Sequence, residues 1–254
     1  MAWLGKLVGG TLGFALGGPL GAIAGAAFGH AFDSNGENGQ SGPGHKKRPL
    51  ETAEKSQLTF FVATFSMLAK LAKADGQIAQ AEVETIDKFM LYDLNLNPQS
   101  RQVATSIFQA ALHSPGTFEE FAAQFYRQFQ SQPQMLELIL DILFRVAVAD
   151  GRISTSEEQL LIAASHIFNF DSQQYGRLKS RYVQNLDKYY AVLQSSPDDS
   201  DDQIKHNYRK QVSDYHPDKI AAKGLPDEFN KFAHDKFREI QEAYDIIKKE
   251  RGIK

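Results

Sequence analysis

His216, Pro217 and Asp218 are consecutive, and they follow a stretch that carries Lys205, His206, Arg209 and Lys210. A proline locks its own φ and disfavours helix at the residue before it. A helix over this stretch should therefore end at about Tyr215, and the tripeptide should project as a stiff loop holding one imidazole and one carboxylate. That arrangement suits recognition more than bond-breaking. The chain has no cysteine, which excludes thiolate zinc sites, disulfides and cysteine nucleophiles. It also has no Gly-rich phosphate loop, His-pair metal motif or nucleophile elbow, so no enzyme and no cofactor is expected. From spacing alone, the basic residues also read as an ordinary solvated face.

The elements that must position the tripeptide are legible on both sides. Ile204, Tyr208, Val212 and Tyr215 share one face at helical spacing, and the basic residues fall away from it. Ser200 and Gln203 fit a capping box, with Asp201 and Asp202 favourable in the first turn. YYAVL, at 189–193, reads as a short apolar helix. A last helix should start near Pro226. Phe229, Phe232, Ala233, Phe237, Ile240, Ala243, Tyr244 and Ile247 give it an apolar stripe to lay antiparallel on Ile204, Tyr208 and Val212. Residues 187–254 hold 13 Lys plus Arg against 14 Asp plus Glu, and the whole chain carries a net charge of -3. Neither balance points to nucleic acid.

Before this region, residues 52–185 read as an all-α bundle. Helices are expected from Thr52 and near 80–92, 99–112, 117–130, 134–149, 155–169 and 172–185, punctuated by Asn97-Pro98, Ser114-Pro115-Gly116 and Gln132-Pro133. An internal echo pairs KLAKADGQI at 70–78 with RVAVADGRI at 145–153. Each copy is followed by an acid at the same offset, Glu82 and Glu157. A structural reading makes the glycine a left-handed helix end and Ser154 with Glu157 a capping box. A functional reading makes Asp75, Glu82, Asp150 and Glu157 ligands for a hard cation or contacts for a partner.

Residues 7–32 contain no Asp, Glu, Lys or Arg. As one helix they would span about 39 Å, enough for a hydrocarbon core of about 30 Å. Residues 1–32 are thus expected to form a transmembrane helix in contact with lipid. Gly9, Gly13, Gly17, Gly21 and Gly25 recur every fourth residue, a stripe that favours close helix pairing and hence a homodimer. A cleaved signal peptide, with Ala22-Ile23-Ala24 as the cleavage site, also fits, as does a Gly-rich tail or a segment that associates without spanning. Residues 33–51 have the composition of a flexible tether. Lys46, Lys47 and Arg48 outnumber Lys6, which places the C-terminal bulk in the cytoplasm and the N-terminus in the periplasm.

YYAVL, IKHNYRKQVSDYHPDK and FREIQEAYDIIK resemble the three main helices and the HPD loop of a J domain. The A-D-G-x-I-x-x-x-E repeat resembles the TerB-like helical module, and the order of segments is similar to that of the DjlA family. The resemblance implies a single-pass inner-membrane protein whose J domain, residues 187–254, stimulates ATP hydrolysis by a DnaK-type chaperone. Lys205, Arg209 and Lys210 would dock on that partner, and His216, Pro217 and Asp218 would reach its interdomain junction. The alternative is a membrane stress sensor whose TerB-like domain binds a metal or a partner. Residues 171–186 lack the long Gln/Gly-rich linker of some relatives, and no Gly/Phe segment or Cys-rich zinc module is present. Independent capture of unfolded clients is therefore not expected.

Overall fold

The computed structural model describes residues 16–33, 51–76, 80–149, 153–182 and 187–253. All regular elements among the described residues are helical, as the periodicity predicts.

The first, α1 (Gly18–Asp33), lies on the bundle, with Leu20, Ile23, Ala24 and Ala27 buried. Gln124 clasps its start: Oε1 accepts from the Leu20 N–H at 3.0 Å, and Nε2 donates to the Gly17 carbonyl at 2.8 Å. Gly17 and Gly18 have φ of +60° and +58°, conformations that glycine reaches without strain. The expected single helix over 7–32 is thus broken just ahead of Pro19. Gly21 is buried and Gly25 exposed, while Gly9 and Gly13 lie outside the described residues. No described helix is long and apolar enough to cross a membrane.

The centre of the bundle is α2 (Thr52–Leu71). No charged residue lies between Lys55 and Lys70, and a helix without a charged face has to be buried all round. Phe60, Phe61, Val62, Ala63 and Phe65 are fully buried, and the Thr59 and Thr64 hydroxyls donate to carbonyls one turn back. Glu51 and Glu54 close a capping box at its start. Then follow α3 (Gln80–Lys88), a π-helical turn (Phe89–Asp93), α4 (Pro98–His113), α5 (Phe118–Phe129), α6 (Pro133–Ala147), α7 (Thr155–Ile167) and α8 (Ser172–Ser180).

Two boundaries differ from the sequence expectation. The helix expected over 80–92 winds into the π turn, and the one expected over 172–185 stops at Ser180, so that Arg181 can turn into the interior. Gly76, at φ +92°, does not cap α2 directly but closes the turn after it, with its N–H bonded to the Lys73 carbonyl at 3.0 Å. In the second copy the Ser154–Glu157 capping box is formed. Ile78 and Gly151 lie outside the described residues.

The C-terminal part holds α9 (Asp187–Val192), α10 (Asp201–Asp214), α11 (Pro217–Ala222), a 3-10 turn (Asp227–Phe229) and α12 (Asn230–Arg251). α10 and α12 form the expected hairpin, with Tyr208 and Tyr244 stacked at 4.0 Å and 7°. Arg251 ties the far end together, bonding the Tyr190 hydroxyl at 2.9 Å and the Asp199 carbonyl at 2.6 Å. The last α-helix starts at Asn230, not Pro226, because the 3-10 turn intervenes and swings Phe229 away from the hairpin.

Phe229 and Phe232 therefore do not line the hairpin stripe as the spacing predicts. Phe229 meets Phe60 at 5.0 Å, Phe61 at 6.0 Å and Phe65 at 6.4 Å, all on α2. Phe232 meets Phe89 of the π turn at 6.3 Å, with the Arg145 guanidinium 5.6 Å from its ring. Aromatic contacts of this kind add to a large buried area. The hairpin and the bundle share one continuous core.

Candidate functional site

α10 orients the basic residues through its buried face. Ser200 caps its start by accepting from the Gln203 N–H at 3.2 Å. Ile204 and Tyr215 are buried, and Tyr208 and Val212 are half-buried. That leaves Arg209 and Lys210 exposed and Lys205 half-buried on the outer face, without an ion pair to another described residue.

The helix ends at Asp214, one residue before the end that Pro217 predicts. The tripeptide is not an open loop. Pro217 takes the first position of α11, where its missing N–H costs nothing. His216 caps that helix: its Nδ1 accepts from the Asp218 N–H at 3.3 Å, which assigns the ring proton to Nε2. The other side of the imidazole packs edge-on against Phe237 at 5.7 Å and 76°. The His216 side chain is 49% exposed and the Asp218 carboxylate 93% exposed, so the carboxylate is open to solvent on a rigid mount. The group can present one negative charge and one N–H donor, beside a cationic helix face, to a surface of matching pattern.

Behind this exposed edge lies a buried ionic network that joins hairpin to bundle. Lys236 of α12 reaches Asp141 of α6 at 3.1 Å. Arg181 reaches Glu137 at 2.6 Å and Asp141 at 3.4 Å, and Gln194 donates to Glu137 at 3.1 Å. Tyr182 donates to the Asp141 carbonyl at 2.8 Å. The Tyr215 hydroxyl is buried beside the Glu137 carboxylate, close enough to stabilise its charge though short of full hydrogen-bond geometry. Burial pushes the Glu137 carboxyl up, but Arg181 and Lys236 outweigh it, and the net direction is down. Asp141 behaves likewise, with Lys236 and then Arg181 overcoming burial. Burial and the Glu137 charge push the Tyr215 phenol well above its ordinary value. Glu137 and Asp141 face Arg181 and Lys236, and the half-exposed Glu239 also reaches Lys236 at 3.2 Å, so each buried charge has an opposite partner, which is how buried charge is tolerated.

Of the proposed cation ligands, Asp75 is exposed and Glu157 serves its own helix cap. Asp150 and the side chain of Glu82 lie outside the described residues. Among the described residues no group of three or more His, Cys, Asp or Glu could hold a metal ion.

Sequence reasoning missed Glu137, Asp141, Arg181 and Lys236. A signal was present: Asp141 interrupts an apolar run, LELILDILF, and Lys236 falls within the apolar stripe between Ala233 and Phe237. Charge in such places needs a partner.

Three family models match the chain. Residues 1–48 match the Co-chaperone DjlA transmembrane domain, residues 61–180 the Tellurite resistance protein TerB, and residues 188–253 the DnaJ domain. Relatives called Co-chaperone protein DjlA include one from Photobacterium profundum, 31% identical over 98% of this chain and 99% of its own length. Another, from Coxiella burnetii, is 32% identical over the whole of both chains. One from Escherichia coli is 27% identical over 78% of this chain and 82% of its own. No solved structure matches the chain. With a transmembrane domain, a TerB domain and a J domain in that order, the chain belongs to the DjlA co-chaperone family.

Proposed function

We propose that the chain, a J-domain co-chaperone of the membrane-anchored DjlA type, stimulates ATP hydrolysis by a DnaK-type chaperone at the cytoplasmic face of the inner membrane. The observation that carries the reading is the Asp218 carboxylate, 93% exposed, held by the His216 cap at the end of the basic helix. Lys205, Arg209 and Lys210 steer the encounter with an acidic surface, which raises the association rate and weakens with salt. Asp218 then pairs with an arginine of the partner. Stimulation follows because these contacts favour the hydrolysis-competent state over the resting one.

The match of residues 1–48 to a transmembrane domain and the excess of Lys46, Lys47 and Arg48 over Lys6 support an anchor in residues 1–32 with the N-terminus periplasmic. For this, Leu20, Ile23, Ala24 and Ala27 have to leave the bundle face on which they are buried here. Pairing of two anchors along Gly9, Gly13, Gly17, Gly21 and Gly25 would present two J domains together. The test is single-turnover ATP hydrolysis by the cognate chaperone, with the full chain in vesicles, beside its His216→Gln variant. Stimulation by the first and its loss in the second support the reading. A folded wild-type chain that leaves the rate unchanged overturns it.

A further inference from the structure

We infer that Glu137 and Asp141 of the bundle are positioning residues for the His216–Pro217–Asp218 element, so that the TerB domain sets how well the J domain activates its partner. This rests on the co-chaperone reading above.

The geometry runs through two residues that flank the element. Tyr215 immediately precedes His216 and is 3% exposed, with its hydroxyl buried and not hydrogen-bonded to a described residue. Glu137 acts on the element through Arg181, which it shares with Asp141. Lys236 immediately precedes Phe237, the ring that packs against His216, and its ammonium is 3.1 Å from Asp141. Glu137 and Asp141 lie one turn apart on α6, and Arg181 bridges them. The ring beneath the imidazole is thus tied to α6 through the Lys236–Asp141 pair, and the tyrosine ahead of the imidazole is buried next to the same network.

The far end of the element is fixed as well. Lys223, at the end of α11, donates to Gln134 of α6 at 2.8 Å. Gly224, at φ +96°, lies so close to α2 that a Cβ there would fall 2.5 Å from the Ser56 Cβ. Between these anchors His216 and Asp218 remain exposed. An element fixed on both sides meets its partner in one orientation, and misplacement of a reacting constellation by about 1 Å can cost roughly a hundredfold in rate.

The test uses the full chain in vesicles and three variants: Glu137→Gln, Asp141→Asn, and Asp141→Leu combined with Lys236→Met. The paired change restores an apolar contact where the ion pair stood, an exchange that buried pairs tolerate well. Two quantities are read: the maximal stimulated rate at saturating chain, and amide hydrogen exchange at residues 215–223 and in α2. A merely structural role would lower the folded fraction, raise the concentration needed for half-stimulation and leave the maximal rate unchanged.

The expected result is a maximal rate lowered about tenfold in each single variant. Exchange at 215–223 should rise while α2 keeps its protection, and the paired variant should recover most of the rate. Single variants that keep both the wild-type maximal rate and wild-type exchange at 215–223 overturn the inference. So does a paired variant that keeps α2 protected yet stays as low as the singles. If the wild-type chain itself gives no stimulation, the co-chaperone reading fails. The exchange measurement still decides whether the two carboxylates hold the element.

Discussion

The Phe229 ring stands edge-on to Phe60, with centroids 5.0 Å apart and planes at 81°, although one residue ends the 3-10 turn before α12 and the other sits in α2. Both are fully buried. Phe229→Ala should cost roughly 3–5 kcal/mol, the usual range for emptying a buried phenylalanine site. Because one core serves both parts, urea unfolding followed by circular dichroism should shift as one transition. A variant in which the bundle keeps its wild-type midpoint while the hairpin melts earlier would contradict the shared core.

Gly224→Ala should destabilise for two separable reasons. The backbone there is left-handed at φ +96°, and the new methyl would meet the Ser56 Cβ at 2.5 Å. Adding Ser56→Gly removes the collision and leaves the backbone strain. Thermal melts should place the double variant between the wild type and Gly224→Ala, once the cost of Ser56→Gly alone is subtracted.

The buried carboxylates predict a direction of pH dependence. Glu137 and Asp141 have lowered pKa values when folded, since burial is overcome by Arg181 and Lys236. Their stabilisation is complete above the ordinary carboxylate range of about 4 and is lost as pH falls below it, through the depressed values. Each proton taken up on unfolding contributes about 1.4 kcal/mol per pH unit. Denaturation midpoints measured from pH 7 to pH 3 should fall more steeply for the wild type than for Asp141→Asn.

The exposed basic face should affect binding more than folding. Replacing Arg209 and Lys210 by Ala should change stability by no more than about 0.5 kcal/mol, as surface substitutions do. Association with the chaperone, followed by stopped flow, should slow and should depend less on ionic strength. Asp218→Asn should leave the melting temperature in place and remove stimulation. An Asp218→Asn chain with full stimulation would dismiss the carboxylate's role.

Much of this was legible in the sequence because it is local. Periodicity gave the helices, Ser154 with Glu157 gave a cap, and Pro217 gave the end of α10 within one residue. The 3-10 turn at Asp227–Phe229 was not legible, since it exists to send Phe229 into a pocket formed by residues far away in the chain. Lys236 and Asp141 are separated by 95 positions, and nothing in the spacing of either helix says that they meet. The break at Gly17 and Gly18 was hidden because a four-residue glycine period looks like a helix while glycine also permits the left-handed turn that ends one.

The shared core also limits how freely the parts of this chain can be exchanged. A transplanted hairpin without a phenylalanine at the place of Phe229 would leave the space beside Phe60 empty, and one without a lysine at the place of Lys236 would take a cation away from Asp141. The recipient bundle would then be left with a cavity, a weakened ion pair, or both. Modular as its order of segments is, this protein has to change on both sides of the seam together, and substitutions at Glu137, Asp141, Phe229 and Lys236 should be tolerated in matched sets more readily than one at a time.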